Sequence, residues 1–437
     1  MPDQHPSLPS QVPGPLLPGP LRIALVVQRY GADIRGGAEA HCRLVGRMLA
    51  TRHRVEVLTT CAGDYETWAP RYAPGTARDG RVLVRRFKNR RRPVRAFFRL
   101  SQQLFLGDHD PALQREWIRL NGPESPRLLE YLERFGASFD LVVFFSFRYA
   151  TTALGMQRVP DRAVLVPTAE DEPAVRLPIF RDIFCVPRGF LFNSHEEAEM
   201  IRGLAPVTGV PAEIVGVGVE TAGESPDGMG AASSPPGRAD AAEEPEVAVP
   251  FLLYVGRLDR NKGVPLLYQH FLRLRANGCG DLPGGARLRL VLLGGGALAL
   301  PPHPDVQVLG PRPDRVKDAM LRDCLALVNA SPYESLSMVL LEAWSWAKPV
   351  VVNATCAVMR EQCRRSGGGL YFRSAEELEG CVSWLLTNPT GRQAIGRQGL
   401  RYFRANYAWN VIQTKYERLF GAVLARRGQP SPAPPAA

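Results

Sequence analysis

The feature that most constrains the fold is a regular alternation of short apolar runs with amphipathic helical segments. Residues 22–27 form an apolar, strand-like run, and a loop and a helix with an apolar stripe separate it from a second run at 54–59. A strand, a helix and a further strand in this order imply parallel pairing through a right-handed crossover. The alternation restarts at 251–256. We therefore predict an α/β fold of two Rossmann-like, doubly wound domains that face a central cleft.

Further apolar runs extend this pattern in both halves of the chain. Strands are expected at 139–146, 163–167, 189–193 and 213–217, and then at 288–293, 306–309, 325–328 and 349–352. Helices are expected between them, including Pro126–Phe135 and His195–Leu204, with a last helix at 411–426. At 437 residues the chain has room for two domains of ordinary size.

Changes in composition divide the chain into six segments. We expect a proline-rich tail without fixed structure at 1–20, a first domain at 21–217, a flexible linker or insert at 218–249, a second domain at 250–410, a final helix at 411–427 and a loose tail at 428–437. The linker is rich in proline, glycine and alanine and lacks apolar periodicity. Two domains of this class place a ligand in the cleft between their strand ends.

The chain is basic, with 54 lysine and arginine residues against 43 aspartate and glutamate residues and a formal charge of +11. Residues 81–99 hold nine basic side chains and no acidic one. Such a run suits anionic lipid headgroups, an anionic acceptor or nucleic acid, or it is a solvated loop. Because no zinc-knuckle or RNA-binding signature accompanies it, we expect no nucleic-acid partner. A peripheral contact with an anionic membrane through 81–99 stays open.

The eight cysteines are scattered, without a Cys-x-x-Cys pair or a histidine cluster. We therefore expect no metal site and a reduced, cytoplasmic location, with the inner membrane face as the place of any peripheral contact. The N-terminus lacks the basic and apolar regions of a signal peptide, and no apolar run approaches the ~20 residues of a membrane span.

Two glutamates eight residues apart carry the strongest functional signal. Glu334 precedes an apolar run that predicts a helix, and Glu342 is expected about two turns into it. At about 100° per residue the two carboxylates would lie about 80° apart around the helix axis. The backbone N–H groups of Ser335, Leu336 and Ser337 would be the unpaired donors of the first turn, which suit a phosphate. Since carboxylates accept hydrogen bonds from sugar hydroxyls, the segment predicts a site for a diphosphate flanked by sugars.

Two cations follow the first strand of the second half. Gly256 is followed by Arg257, and Lys262 comes five residues later. A planar guanidinium and a compact ammonium at a strand end would neutralise a diphosphate and stabilise it further as it leaves. In the first half, Gly36 and Gly37 would let a phosphate approach the backbone at a helix start, although their spacing is not that of dinucleotide sites.

Three consecutive acidic residues, at 170–172, follow an apolar run of the first half. They would hold acceptor hydroxyls or stabilise positive charge at a sugar carbon, or they form a solvated acidic turn. Glu170 and Asp171 are the two that we include among the catalytic candidates.

Two glutamates with seven residues between them, in a segment that runs Glu-Ser to Leu-Leu-Glu-Ala, resemble the donor-site signature of retaining glycosyltransferase family 4 (group 1 glycosyltransferases). Members of this family are two-domain enzymes of the GT-B fold. The Gly-Arg and Lys-Gly pairs at 256–263 resemble the family's phosphate-binding element, and Gly-Gly-Ala-Glu at 36–39 resembles its first-domain loop. The resemblance spans 21–217 and 250–427 and is strongest at 251–345.

The resemblance implies a role for each of the central side chains. Glu334 would face the donor sugar, Glu342 the ribose hydroxyls, and Arg257 and Lys262 the donor phosphates. The first domain would hold the acceptor and the second the donor, and the final helix would return to the first domain. Relatives often have a histidine where Glu170 stands, so the role of that histidine is not carried over to this chain.

The candidate residues fall into a catalytic and a donor-binding group. The catalytic candidates are Glu334, Arg257, Lys262, Glu170 and Asp171. The donor-binding candidates are Gly36, Gly37, Gly256, Arg257, Lys262, Gly310, Glu334, Ser335, Leu336, Ser337 and Glu342, with Gly310 implied to lie near the nucleotide base.

The resemblance implies a polysaccharide-biosynthesis transferase that moves a hexose from UDP- or GDP-hexose to a glycan, lipid-linked or small-molecule acceptor with retention of anomeric configuration. It implies no required cofactor. Three alternatives stay open at this point: an inactive sugar-nucleotide-binding paralogue, a basic nucleic-acid-binding protein, and a sugar-nucleotide epimerase built on the same fold.

Overall fold

The computed structural model describes residues 17, 19–34, 36–219 and 249–427. The tails predicted at 1–20 and 428–437 and the linker predicted at 218–249 lie outside the described residues, apart from a few positions at their edges.

The first half of the chain forms an eight-stranded sheet in the order β3-β4-β2-β1-β5-β6-β7-β8. All neighbours pair in parallel except β3, which is antiparallel to β4. The strands are β1 (Arg22–Val26), β2 (Arg54–Thr60), β3 (Gly75–Asp79), β4 (Val82–Phe87), β5 (Leu141–Phe145), β6 (Ala163–Val166), β7 (Gly189–Phe192) and β8 (Ala212–Ile214).

The second half forms a six-stranded, fully parallel sheet in the order β11-β10-β9-β12-β13-β14. The strands are β9 (Phe251–Val255), β10 (Arg289–Leu293), β11 (Val306–Gly310), β12 (Ala326–Asn329), β13 (Val350–Asn353) and β14 (Gly369–Phe372). The strand order reverses between β9 and β12, as it does between β1 and β5 in the first sheet. Doubly wound sheets bind ligands beyond the carboxyl ends of the strands at such a reversal.

Helices connect the strands of both sheets. Those of the first half are α1 (Gly37–Leu49), α2 (Val94–Phe105), α3 (Pro111–Asn121), α4 (Pro126–Phe135), α5 (Ala150–Ala153), α6 (Pro178–Phe184) and α7 (His195–Leu204). Those of the second half are α8 (Val264–Ala276), α9 (Asp314–Asp323), α10 (Met338–Ser345), α11 (Ala357–Ser366), α12 (Ala375–Thr387), α13 (Pro389–Tyr407) and α14 (Trp409–Ala425).

Helix α14 packs against elements of the first sheet although it ends the described chain. It lies on β7, β8 and α1 and buries Ile412, Tyr416 and Phe420. Arg418 forms an ion pair with Glu213 of β8 at 2.5 Å. The contact ties α14 to the first half of the chain.

The basic run at 81–99 is not a solvated loop, because it contains β4 and the start of α2. Val82 and Val84 of β4 are buried, and α2 buries Phe97 on its inner side. Arginine alternates with apolar residues in this run. Its high positive charge therefore concealed the alternation that is typical of a strand. Among the described residues, no helix is long and apolar enough to cross a membrane.

Candidate functional site

The loops after β9 and β12 meet because a glycine lets them approach closely. Gly263 has a left-handed φ of +69°, and a Cβ on it would collide with the carbonyl oxygen of Ala330. The same glycine begins α8 directly after Lys262. The two loops therefore bring Lys262 beside Glu334, although 72 residues separate them in sequence.

Lys262 and Glu334 form an ion pair at the centre of the site. Lys262 Nζ lies 2.9 Å from Glu334 Oε1, and the side chains are only 27% and 14% exposed. Burial acts to lower the pKa of Lys262, but Glu334 and Glu170 outweigh it and raise that pKa above its ordinary value. The lysine is therefore a fixed cation at neutral pH.

Glu170, which follows β6 in the first half, interacts electrostatically with this pair across the cleft. Burial raises the pKa of the Glu170 carboxyl to about 7, although Lys262 acts to lower it. Its neighbour Glu172 is bound by Arg148 at 2.5 Å. Glu170 thus stands near the midpoint of its titration at neutral pH, where it can accept or donate a hydrogen bond.

Glu197 on α7 fixes the loop that carries Glu170. Its carboxylate accepts the backbone N–H of Ala169 at 2.5 Å and that of Asn193 at 2.6 Å. Burial raises the pKa of Glu197 to about 8, against the lowering effect of these two N–H groups. Thr168, in the same loop, has a positive φ of 47° and a hydroxyl 2.8 Å from that of Ser146, itself at 66°. Such conformations in non-glycine residues persist where the surroundings hold them, and they cluster at functional sites.

Asp171, the other acidic catalytic candidate, lies apart from this cluster. Its side chain is 63% exposed and is bound by Arg176 at 2.5 Å. The structure therefore brings Glu170, Lys262 and Glu334 together and leaves Asp171 at the surface.

The helix predicted after Glu334 starts later than expected. Helix α10 begins at Met338, with Ser337 as its N-cap, so Glu334 lies outside it and Glu342 is only about one turn inside. The expected angle between two carboxylates on one helix therefore does not apply. Ser335 and Leu336 belong to the turn that leads into the helix, and not to its first turn.

Glu342 is bound by a different cation, Lys317 of α9. Lys317 Nζ lies 2.9 Å from Glu342 Oε1 and 3.4 Å from the exposed Asp314. The second oxygen of Glu342, Oε2, is buried and has no hydrogen-bond partner among the described residues. A buried acceptor of this kind fits a hydroxyl donor of a ligand.

Arg257 is the more accessible of the two phosphate-binding candidates. Its side chain is 49% exposed and lies 4.0 Å from Asp259. Its guanidinium also lies 5.2 Å from the ring centroid of Tyr65, in a loop of the first half. The contact joins the two sides of the cleft. Gly256, directly before it, has an extended φ of 157°.

The glycines of the first loop lie at the start of α1. Gly36 is the N-cap, without a side-chain hydrogen bond, and the Glu39 carboxylate folds back over it. Glu39 pairs with Arg29 at 2.6 Å. Among the residues that the structure describes, a Cβ on Gly37 would meet nothing within 4 Å, and the same is true of Gly310, which has a φ of +69°. Both glycines thus face open space.

The serines after Glu334 contribute to the same region. Ser335 Oγ lies 3.4 Å from Asn193 Nδ2 of the first half, and Ser337 Oγ accepts a hydrogen bond from Asn329 at 3.0 Å. Leu336 is buried.

Sequence reasoning did not single out Lys317 or Asn193 as site residues. A signal for Lys317 was present, because the chain has only five lysines among its 54 basic residues. Two of the five bind the two glutamates of the signature. Within the described residues, no group of three or more histidine, cysteine, aspartate or glutamate side chains could hold a metal ion.

Residues 239–401 match the family model of glycosyl transferases group 1. A curated protein, glycosyltransferase 1 domain-containing protein 1 of Xenopus tropicalis, is 27% identical over 104 residues. That match covers 23% of this chain and 29% of the relative's length. Both the family model and the described six-stranded sheet lie in the second half of the chain.

Solved structures extend the likeness to both halves. Sucrose-phosphate synthase of Thermosynechococcus elongatus aligns over 92% of this chain and 99% of its own, with a TM-score of 0.62 and 15% identity. Trehalose 6-phosphate synthase of Burkholderia multivorans aligns over 93% and 99%, with a TM-score of 0.65 and 16% identity. HepE of Anabaena, in complex with UDP and glucose, aligns over 91% and 98%, with a TM-score of 0.63 and 14% identity. The predicted fold is confirmed: it is that of the GT-B glycosyltransferases.

Proposed function

We propose that the chain is a retaining hexosyltransferase of glycosyltransferase family 4. It transfers a hexose from a nucleoside diphosphate sugar to a hydroxyl of a glycan, a lipid-linked or a small-molecule acceptor. The observation that carries the proposal is the partly buried Lys262–Glu334 ion pair, with which Glu170 of the opposite half interacts electrostatically. A cation for a diphosphate and acceptors for sugar hydroxyls are thereby within reach of one ligand.

In this proposal residues 250–410 form the donor domain. Arg257 and Lys262 bind the diphosphate and Glu334 binds the sugar. Glu342 binds the ribose through its Oε2, which has no hydrogen-bond partner in the described part of the chain. Backbone N–H groups at 335–337 and around Gly36 and Gly37 supply further phosphate donors, and Gly310 leaves room for the base. UDP is the first donor to test, because HepE and a trehalose-6-phosphate synthase of E. coli are described with UDP or a UDP-sugar.

Residues 21–217 form the acceptor domain, and 411–427 cross back to it. Closure of the two domains excludes water and brings the acceptor hydroxyl against the anomeric carbon. The bond from that carbon to the acceptor oxygen forms on the face from which the diphosphate departs. The acceptor proton passes to the departing phosphate oxygen, and Arg257 and Lys262 stabilise the charge that develops there.

Thermal-shift measurements against UDP, GDP, ADP and their hexose conjugates test the donor site. A selective rise in Tm with one nucleotide, unchanged by EDTA and lost in Lys262→Ala, is the expected result. The absence of any rise would contradict a donor site. A rise without nucleotide release in the presence of acceptors would indicate an inactive paralogue, and an altered free sugar nucleotide would indicate an epimerase.

NMR of the product tests retention. An α-linked donor should give an α-linked product, since attack occurs on the face of departure. A β-linked product would contradict the retaining mechanism and leave the donor site in place.

A further inference from the structure

Helix α2 presents an exposed face made of arginine and apolar side chains. At about 100° per residue, the exposed residues of α2 other than Gln103, together with Leu106 directly after the helix, fall within an arc of about 120°. We name this face the α2 outer stripe; it consists of Arg95, Phe98, Arg99, Gln102, Phe105 and Leu106. The buried residues of α2 occupy a separate arc: Phe97, Leu100, Ser101 and Leu104.

The apolar members of the outer stripe are unusually exposed for their size. Leu106 is 89% exposed, Phe98 60% and Phe105 40%. Single exposed apolar residues are ordinary on a protein surface, but a contiguous group with a polar surround marks an interaction site. The inner arc already holds α2 on the domain through Phe97 and Leu104. Of the apolar outer residues, Phe105 also contacts the buried Trp117, whereas Phe98 and Leu106 are mostly exposed.

Seven of the nine basic residues of the run at 81–99 fall into two groups. Four arginines are engaged within the protein: Arg85 with Glu56, Arg90 with Glu124, Arg86 over the Tyr72 ring, and Arg92 between Trp68 and Phe97. Within the described part of the chain, Arg91, Arg95 and Arg99 form no ion pair, and all three are exposed. Residues 88–107 contain no acidic residue, and the nearest acids in sequence, Asp108 and Asp110, lie beyond the end of the helix.

We propose that the α2 outer stripe docks on the surface of a bilayer that contains anionic lipids. Phe98 and Leu106 enter the boundary between headgroups and acyl chains, and Arg91, Arg95 and Arg99 bind lipid phosphates. Aromatic and aliphatic residues beside arginines are the composition of helices that lie in this interface. The proposal concerns a surface outside the cleft and does not depend on sugar transfer.

Charge and shape favour a bilayer over the other partners of a basic surface. Leu106, the most exposed side chain of the stripe, has no ring to stack on a nucleic-acid base, whereas it gains from an apolar interior. Two copies of the stripe would bring like charges together without an acidic partner. A lipid surface offers negative phosphates that can bind the arginines. Directly beneath them it offers an apolar layer that can accept Phe98 and Leu106.

Vesicle co-sedimentation of the full chain tests the proposal. The protein should sediment with phosphatidylglycerol-containing vesicles, not with phosphatidylcholine alone, and added salt should release it. The paired variants Phe98→Ser/Leu106→Ser and Arg95→Gln/Arg99→Gln should each lower the partition coefficient about tenfold or more. The matched controls Tyr371→Ser and Arg401→Gln/Arg404→Gln remove exposed groups from the second half and should leave it unchanged.

Several outcomes would overturn the proposal. Equal binding of the parent and both paired variants to the vesicles would exclude the α2 outer stripe as the membrane-binding surface. Equal binding to neutral vesicles would exclude the role of the arginines. A dimer that Phe98→Ser dissociates, or salt-sensitive binding of an oligonucleotide, each without vesicle binding, would assign the face to a second copy or to nucleic acid. Because the substituted residues are exposed, each variant should keep the parent's Tm and its nucleotide-induced shift.

Discussion

The two sides of the cleft differ in how their charged groups are held. On the second-half side, Lys262 and Lys317 are each bound by one partly buried glutamate of the signature at 2.9 Å. On the first-half side, Glu170 lies in a loop that Glu197 holds by accepting a hydrogen bond from the backbone of Ala169. Two residues beside this loop position, Thr168 and Ser146, have positive φ angles. The second side is a set of paired charges, whereas the first is a buried carboxyl whose charge varies with pH.

The comparisons with known proteins also distinguish the two halves of the chain. The family model covers 239–401, which includes the paired charges, whereas the first half is matched by shape. Under the proposed function, the second half would be constrained by a diphosphate common to many donors, whereas the first half would be constrained by an acceptor that differs between enzymes.

The sharpest test of the paired side is Lys262→Ala. Without this cation, Glu334 and Glu170 face each other and the departing diphosphate loses a stabilising charge, so we expect kcat/KM to fall about 10²–10³-fold. Steady-state kinetics with the donor identified by thermal shift provide the measurement. Arg260→Ala, which removes an exposed cation from the same loop, is the control. Near-parent turnover by Lys262→Ala would refute the role of the pair.

The second test separates the two acidic partners of Lys317. Glu342→Gln should weaken nucleotide affinity about tenfold or more, because a charged acceptor is lost from the ribose. Asp314→Asn removes the exposed partner at 3.4 Å and should change affinity little. Isothermal titration with the nucleoside diphosphate measures both. Equal losses in the two variants would mean that Lys317, and not Glu342, contacts the ligand.

The third test concerns Glu170, on the first-half side of the cleft. Because its pKa rises from 4.5 to about 7 on folding, the folded state binds more protons than the unfolded state between these values. Its contribution to stability is therefore full below pH 4.5 and is lost as the pH rises through about 7. Glu170→Gln should flatten this decline in denaturant unfolding curves.

A residual slope should persist in Glu170→Gln, because the pKa of Glu197 is also raised, to about 8. The control is Glu66→Gln, at an exposed position of the first half, which should keep the parent's pH dependence. If stability changed with pH in Glu170→Gln as it does in the parent, the Glu170 carboxyl would not titrate in this pH window. The difference that we describe between the two sides of the cleft would then be wrong.

The smallest effect is expected at Tyr65, where the two sides touch. Replacing it with leucine removes the contact of its ring with Arg257 and should change nucleotide affinity about two- to fivefold. Tyr371→Leu, at an exposed position away from the cleft, is the matched control. A larger loss would place Tyr65 in the donor site itself and weaken the distinction between the sides.

Much of the fold was predictable, because buried parallel strands are short continuous apolar runs. The helices Pro126–Phe135 and His195–Leu204 have the predicted bounds. The hairpin β3–β4 and the edge strand β14 were missed, since their residues alternate or are partly exposed. In β4, the arginine side chains made the alternation of buried and exposed residues difficult to recognise.

The site was predictable where residue type carries the chemistry and not where tertiary contacts create it. Lys262 and Glu334 were identified separately, but nothing in the sequence shows that they pair, because Gly263 and Ala330 bring their loops together only in the folded chain. The start of α10 was placed too early, since the turn at 335–337 has helix-compatible residues. The raised pKa of Glu170 follows from burial, which sequence does not report.

Lys262 is already neutralised within the protein by Glu334. A phosphate ion that approached it would have to displace a carboxylate and would leave that carboxylate without a partner. A sugar nucleotide brings a diphosphate for the lysine and hydroxyl donors for the glutamate in one molecule. Under the proposed function, the internal ion pair would compete with simple anions and would favour a ligand that satisfies both ends of the pair.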